Sequence, residues 1–402
     1  MPRSLWLLVI GMAVNVTGSS LLWPLNSIYI HEHLGKTLTV AGFILMLNSG
    51  ASVIGNLIGG ILYDKLGGYL SILLGISITA LSLLGLTLFH NWGAYCTFFT
   101  LSGFGSGIIY PSMYAMAGNV WPEGGRKAFN SIYVAQNVGV ALGSAIGGII
   151  ASYSFQLIFL SNTLMYVVFF LIAFLSYKNI QVKAEILPNS NGGKTVKRKG
   201  KHLLKGSPAM YSLGILGFGY LLCWICYVQW QATISTHTQQ LGIPLTQYSL
   251  LWAVNGGLIV FGQPLISFFT KKVCTSIKKQ MLIGIGIFIV SFLIVGKAEF
   301  FTGFLAAMII LTIGEMLIWP AVPTIADKLA PKGKEGFFQG IVNSTATGGR
   351  MIGPLLGGIL VDSSGMTMLI PVLVFLLVIS LLTAFFYDYP TKEAAKLAPK
   401  TN

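Results

Sequence analysis

Glu315 and Arg350 are the residues of this sequence whose type and position most clearly suggest chemistry. They occur in the stretch from Thr312 to Gly358, two apolar segments joined by a short charged turn, each with one ionisable residue about halfway along. At about 1.5 Å of rise per helical residue, Glu315 lies some 18 Å from the turn and Arg350 roughly 22 Å. Both therefore fall near the middle of a hydrocarbon slab of about 30 Å. A lone ionised carboxylate at that depth costs at least ~2.5 kcal/mol, so such residues are expected to face a bundle interior or aqueous cavity and to find a partner. Opposite charges at one depth suggest that they partner each other. The chemistry open to such a pair is reversible proton binding, because burial favours a neutral carboxyl, a nearby cation favours the ionised one, and small changes of geometry shift the balance. A purely structural ion pair is the competing expectation. It is disfavoured because apolar packing stabilises a fold better than a buried pair.

The elements that must position these residues follow from composition. With 54% apolar and only 9% charged residues over 402 positions, and a mean hydropathy of +0.77, the chain is neither a soluble domain nor disordered. It reads as an all-α polytopic membrane protein, since helices satisfy their own backbone in lipid. Twelve apolar spans are expected, at roughly 5–30, 39–62, 70–89, 92–118, 128–151, 155–176, 209–234, 247–269, 280–297, 302–326, 336–361 and 366–387. The net charge of +14 would suggest nucleic acid in a soluble chain, but 22 of the 25 Lys and Arg fall at the two termini and in every second connection. That asymmetry is topological, so no nucleic-acid partner is expected and both termini are placed in the cytoplasm of a cell-membrane protein. The run from Met1 to Ile30 lacks a small-residue cleavage site and reads as the first span, not a signal peptide. Of the four cysteines, Cys223 and Cys226 form a C-x-x-C inside an apolar helix with no second pair nearby, so packing is expected and no metal site.

The second half of the chain echoes the first at an offset of 207 to 210 residues. Gly105, Tyr110-Pro111, Pro122 and Phe129 match Gly314, Trp319-Pro320, Pro331 and Phe338. Gly139-x-x-x-Gly143-Ser-x-x-Gly147-Gly148 in span 5 answers Gly349-x-x-x-Gly353-Pro354-x-x-Gly357-Gly358 in span 11. The expected organisation is a six-helix half over 1–176, a basic linker over 177–208, a second six-helix half over 209–388 and a tail over 389–402. Repeated halves are the usual build of secondary transporters, with the substrate site between them near midplane. Ser106 occupies the position equivalent to Glu315, so only the C-terminal half carries the acid.

Gly60-Ile-Leu-Tyr-Asp64-Lys65-Leu-Gly67-Gly68, between spans 2 and 3, resembles the G-x-x-x-D-[RK]-x-G-[RK]-[RK] signature of the major facilitator superfamily, with Gly68 and Tyr69 in place of the final basic pair. The glycine pattern of spans 5 and 11 is similar to the signature of its drug:proton antiporter branch, with Ser144 where span 5 normally has proline. Gly314-Glu315 to Pro320, and Arg126-Lys127 through Gln136-Asn137, look like the LmrP-type multidrug exporters. The resemblance implies the major facilitator fold, twelve helices in two pseudo-symmetric halves, and antiport of lipophilic drugs against protons. It implies a conformational latch at Gly60, Asp64, Lys65 and Gly67. The glycines of spans 5 and 11, with Pro354, are expected to form a sliding seam that gates the carrier, because small residues let helices approach closely and proline removes a backbone donor.

Amide side chains facing lipid would be costly, so polar and aromatic residues at middle depth are expected to line the cavity. The substrate-binding candidates are Asn15 and Asn26 in span 1, Gln136 and Asn137 in span 5, Gln229, Trp230 and Gln231 in span 7, Asn255 in span 8, Trp319 in span 10 and Asn343 in span 11. Trp224 and Trp252 are expected in packing or at the membrane interface. The expected mechanism is a monomer whose partners are a small-molecule substrate, protons and membrane lipids, with no cofactor beyond the proton gradient. Proton and substrate would compete at Glu315 and Arg350. Two alternatives stay open: a proton-coupled importer of a neutral solute such as a sugar, and a lipid or glycolipid flippase. An intramembrane enzyme is not expected, because the spans offer neither a nucleophile with a base nor a metal cluster.

Overall fold

The computed structural model describes residues 1–22, 26, 29–30, 34–36, 38–151, 154–178, 180 and 207–397. The linker residues 181–206, and 398–402 of the tail, lie outside the described residues. The fold is all-helical. Spans 1 to 6 are Arg3–Leu22, Leu38–Leu66, Gly68–Leu88, Trp92–Val120, Arg126–Ala151 and Phe155–Ser176. Span 7 is Pro208–Tyr227, continued by a 3₁₀ turn and the short helix Thr233–Gln240. Spans 8 and 9 are Leu245–Lys272 and Ile277–Val295. Span 10 is broken into Phe301–Ile318 and Ala321–Leu329. Spans 11 and 12 are two helices within Glu335–Phe386, separated by a kink at Gly365 with φ 70°. Only glycine adopts that angle without strain. Among the described residues nine helices are long and apolar enough to cross a membrane, and spans 4, 5 and 11, rich in glycine and amides, make up the twelve. The start of span 1, the end of span 12 and the helix Tyr389–Leu397 share one side of the bundle, called the termini face below.

Apolar burial divides into two clusters. One, around Leu5, Met12, Phe159 and Phe169, draws on spans 1 to 6. The other, around Trp230, Phe288, Phe304 and Phe338, draws on spans 7 to 12. Among the described residues a single one of the first half, Tyr133, belongs to the second cluster. Large apolar side chains such as Leu81, Leu175, Phe261 and Leu355 remain exposed around the bundle, as lipid contact requires.

The glycine stripes explain how the helices within each half come close. A methyl group added at Gly139 would stand 2.8 Å from the Ala13 carbonyl oxygen, and one at Gly147 would stand 2.6 Å from that of Leu21. At Gly143 it would collide with the Thr17 carbonyl. Span 5 therefore packs on span 1 along Gly139, Gly143 and Gly147. Span 11 packs on span 7 in the same way: Gly349 abuts Trp224 and Leu221, Gly353 abuts Ile225 and Val228, and Gly357 abuts Gln229. Both seams run inside a half, span 5 on span 1 and span 11 on span 7. Their repeated close backbone contacts fix helix spacing. Gly358 has open space beside it, Pro354 is exposed, and the surroundings of Gly148 lie outside the described part.

Overpacking a filled contact costs about 1–3 kcal/mol. Gly353→Leu is expected to lower the melting temperature of the detergent-purified protein by several degrees, whereas Gly358→Leu, five residues on in the same helix, leaves it unchanged. Differential scanning fluorimetry checks both.

Candidate functional site

The site is built where span 10 of one half meets span 5 of the other. Glu315 is 3% exposed, three residues before the end of the first segment of span 10. Among the described residues no cation stands beside its carboxylate, and its oxygens are met by neutral donors. The Tyr133 hydroxyl donates to Oε1 at 2.9 Å, crossing from the first half. Asn255 Nδ2 donates to Oε2 at 2.9 Å and the Tyr227 hydroxyl does so at 3.3 Å, both from the second half. Asn255 is itself oriented by a second bond, to Thr312 Oγ1 at 2.9 Å. A carboxylate can accept all of these at once, and hydrogen bonds to a charged acceptor are worth about twice neutral ones.

Arg350 does not pair with Glu315, contrary to the sequence expectation. Its guanidinium lies 4.8 Å above the Trp224 ring, and its Nη2 donates to Thr347 Oγ1 at 3.3 Å. Planar guanidinium stacks readily on indole, and the contact takes the place of a counter-ion. Trp224 in turn stacks on Trp319, with ring centroids 4.5 Å apart and planes 4° apart. Tyr220, Tyr227 and Phe288 close around Trp319 edge-on. Arg350 is nonetheless exposed. An arginine at middle depth that meets solvent lines an open space. Its electrostatic neighbours, Tyr110 and Tyr114 from one half and Tyr220 and Tyr227 from the other, put that space between the halves.

On the termini face the halves are tied together. Asp64 accepts from the backbone N–H of Gly336 at 2.9 Å and of Phe337 at 3.0 Å, so its carboxylate sits at the N-terminus of span 11, where anions are favoured. Gly60 permits this approach, since a methyl there would strike the Gly336 carbonyl. Lys65 is exposed, and Gly67, with φ 82°, turns the chain from span 2 into span 3. Deeper, Asn56 Nδ2 donates to Thr347 Oγ1 at 3.3 Å, and the Ser344 hydroxyl donates to the Val53 carbonyl at 3.1 Å. Beyond these, towards the face opposite the termini, no hydrogen bond joins the halves among the described residues.

The remaining candidates divide by surroundings. Gln136 accepts from the Tyr114 hydroxyl at 3.2 Å and is part-exposed, as are Asn137 and Asn343, whose amides donate back to their own helices. Asn15 and Asn26 are packed within the first half, Asn26 accepting from Tyr95 at 3.1 Å. Gln229 is fully buried and donates to the Gly353 carbonyl at 2.6 Å, fastening span 7 to span 11. Trp230 is fully buried core, and its carbonyl accepts from the Tyr248 hydroxyl. Gln231 is exposed at the far end of span 7. Four residues of the site escaped the sequence reading: Tyr133, Tyr227, Thr347 and Trp224. A signal for Tyr133 was present, because Arg126, Asn130 and Tyr133 form a polar i, i+4, i+7 stripe on an otherwise apolar helix.

Comparison with known proteins places this geometry. The sequence profile of the Major Facilitator Superfamily matches residues 8–345 and 233–401. The chain is 59% identical to the "Uncharacterized MFS-type transporter YttB" of Bacillus subtilis (strain 168), over 98% of this chain and 97% of that protein. It is 26% identical to a "Na(+), Li(+), K(+)/H(+) antiporter" of Planococcus maritimus, over 88% of each. It is 23% identical to the "Quinolone resistance protein NorA" of Staphylococcus aureus (strain COL), over 90% of this chain and 91% of that protein. Its fold matches the crystal structure of a bacterial homologue of the iron transporter ferroportin in an outward-facing state, with a TM-score of 0.76 and 14% identity, over 96% of this chain and 100% of that one.

The Tyr133 bond to Glu315 crosses the halves, while the Tyr227 bond does not. Losing a bond to a charged group costs about 1.5–3 kcal/mol. Tyr133→Phe is therefore expected to speed hydrogen–deuterium exchange of the Gly336 and Phe337 amides, which Asp64 protects, by about tenfold or more. Tyr227→Phe is expected to leave that exchange near its original rate.

Proposed function

The chain belongs to the Major Facilitator Superfamily, a transporter rather than an enzyme and an integral multi-pass membrane protein, and on that premise we propose that it exports lipophilic small molecules in exchange for protons. In this reading it lies in the cell membrane with both termini cytoplasmic. The observation that carries the proposal is the buried Glu315 carboxylate, held across the halves by Tyr133, with no arginine among the described residues paired to it. Ionised, Glu315 accepts that bond with its full charge. Protonated, it loses the charge and turns one oxygen into a donor, so the tie between the halves weakens. Proton arrival and movement of the halves are thereby linked through one hydrogen bond.

With the termini face cytoplasmic, Asp64 and its neighbours close the inner side, and protons reach Glu315 from outside. Substrate packs against Trp224 and Trp319, an aromatic wall suited to flat lipophilic molecules, and Arg350 supplies a polar contact. Protonation releases substrate outward, loosens the inner side and exposes Glu315 to the cytoplasm, where proton loss resets the carrier. The named activities of the two distant relatives, cation/proton antiport and quinolone resistance, support this class of function. The test uses purified protein in liposomes with an entrapped pH dye and an imposed proton gradient, challenged in turn with lipophilic cations, neutral drugs and sugars. A drug is expected to dissipate the gradient. Glu315→Gln is expected to abolish that coupling while sparing counterflow exchange of the drug. Unchanged pumping by the variant, or proton movement with sugars alone, overturns the proposal.

A further inference from the structure

The break in span 10 falls at Trp319 and Pro320, one helical turn after Glu315. Pro320 has no N–H, so the carbonyl of Met316 loses its helical donor. A proline alone does not force the break: the matching Tyr110-Pro111 lies inside span 4, which runs unbroken from Trp92 to Val120. What span 10 has in addition is Arg126. From the first residue of span 5 the guanidinium reaches across the halves, and its Nη2 donates to the Met316 carbonyl at 2.8 Å and to that of Leu317 at 3.3 Å. Its Nη1 donates to Gln280 Oε1 at 2.7 Å. Gln280 is 2% exposed and is held in turn by the carbonyls of Cys274 and Thr270. One turn along span 5, Asn130 Oδ1 accepts from Gln263 of the second half at 2.8 Å. Two turns along stands Tyr133. Span 5 thus grips the second half with one face, and touches span 10 on the near side of the break, at the Glu315 carboxylate and at the Met316 and Leu317 carbonyls that follow it.

We propose that Arg126 is a positioning residue for the termini-side gate: its guanidinium supplies the donor that Pro320 withholds, and so makes the closed arrangement the one in which the span 10 backbone is satisfied. When the halves part, Met316 cannot recover an intrahelical bond, and its carbonyl passes to water. The charge-assisted bond therefore favours closure specifically. The purpose assigned here rests on the alternating-access reading, but neither proton coupling nor substrate identity enters it.

The test measures the distance between spin labels at Lys127→Cys and Lys328→Cys, both exposed, in a background lacking the four native cysteines, in nanodiscs without substrate or gradient. Arg126→Met is expected to raise the ratio of wide to narrow populations by about tenfold. Pro320→Ala returns an N–H to Met316, so in that background the same Arg126→Met change is expected to move the ratio less than about threefold. Arg126→Lys keeps the charge but cannot serve a carbonyl and Gln280 together, and is expected to fall between; it is read in the same way if Arg126→Met does not fold. An unchanged distance distribution, or an equal effect with and without Pro320, overturns the proposal. Because no transport is measured, the result stands apart from the liposome experiment.

Discussion

A carboxylate in the middle of a membrane protein has to be answered by donors, and at Glu315 one of the donors comes from the opposite half of the molecule. Much of the arrangement follows from that requirement. Asn255 and Tyr227 solvate the acid from its own half, and Tyr133 completes the set only when span 5 lies against span 10. The relative position of the halves is therefore written into the hydrogen bonding of a single titratable group. Arg350, relieved of pairing with the acid, is left on the Trp224 ring facing the open space. Acid and cation, which the sequence suggests as one unit, become two: a carboxylate bonded across the interface, and a guanidinium stacked on an indole.

The internal repeat is used asymmetrically. Spans 2 and 11 meet through glycines and one acid at a helix end, with Gly60 against Gly336 and Asp64 on the amides that follow. Spans 5 and 10 meet through long polar side chains. The first interface is a close backbone approach, and the second a set of separate hydrogen bonds around an ionisable group. The two halves are similar, but span 10 carries Glu315 where span 4 carries Ser106, so the buried acid belongs to one of them.

The helical architecture was plain in the sequence because membrane insertion demands runs of apolar residues, and because glycine and proline recur at fixed offsets. The depth of Glu315 and Arg350 was equally plain, being a matter of counting residues from a turn. Their partners were not. Gln229 looks like a cavity amide and proves to fasten two helices of one half, since a polar residue at middle depth satisfies its bonds equally well against the Gly353 carbonyl or in water. Trp224 looks like packing and proves to carry the guanidinium. Direction around a helix decides both cases, and an apolar helix surrounded by other helices gives little periodic signal of which side faces the cavity. The glycine stripes show the same limit: spacing reveals close contact, but not which neighbour is contacted.

Each half buries its own apolar cluster, with Tyr133, among the described residues, the one residue of the first that enters the second. Separating the halves on the termini face therefore breaks the contacts of Asp64, Arg126 and Tyr133 and the close approach of Gly60 to Gly336. Each half keeps most of its own apolar core in such a separation, so the two can move as bodies whose interiors stay packed.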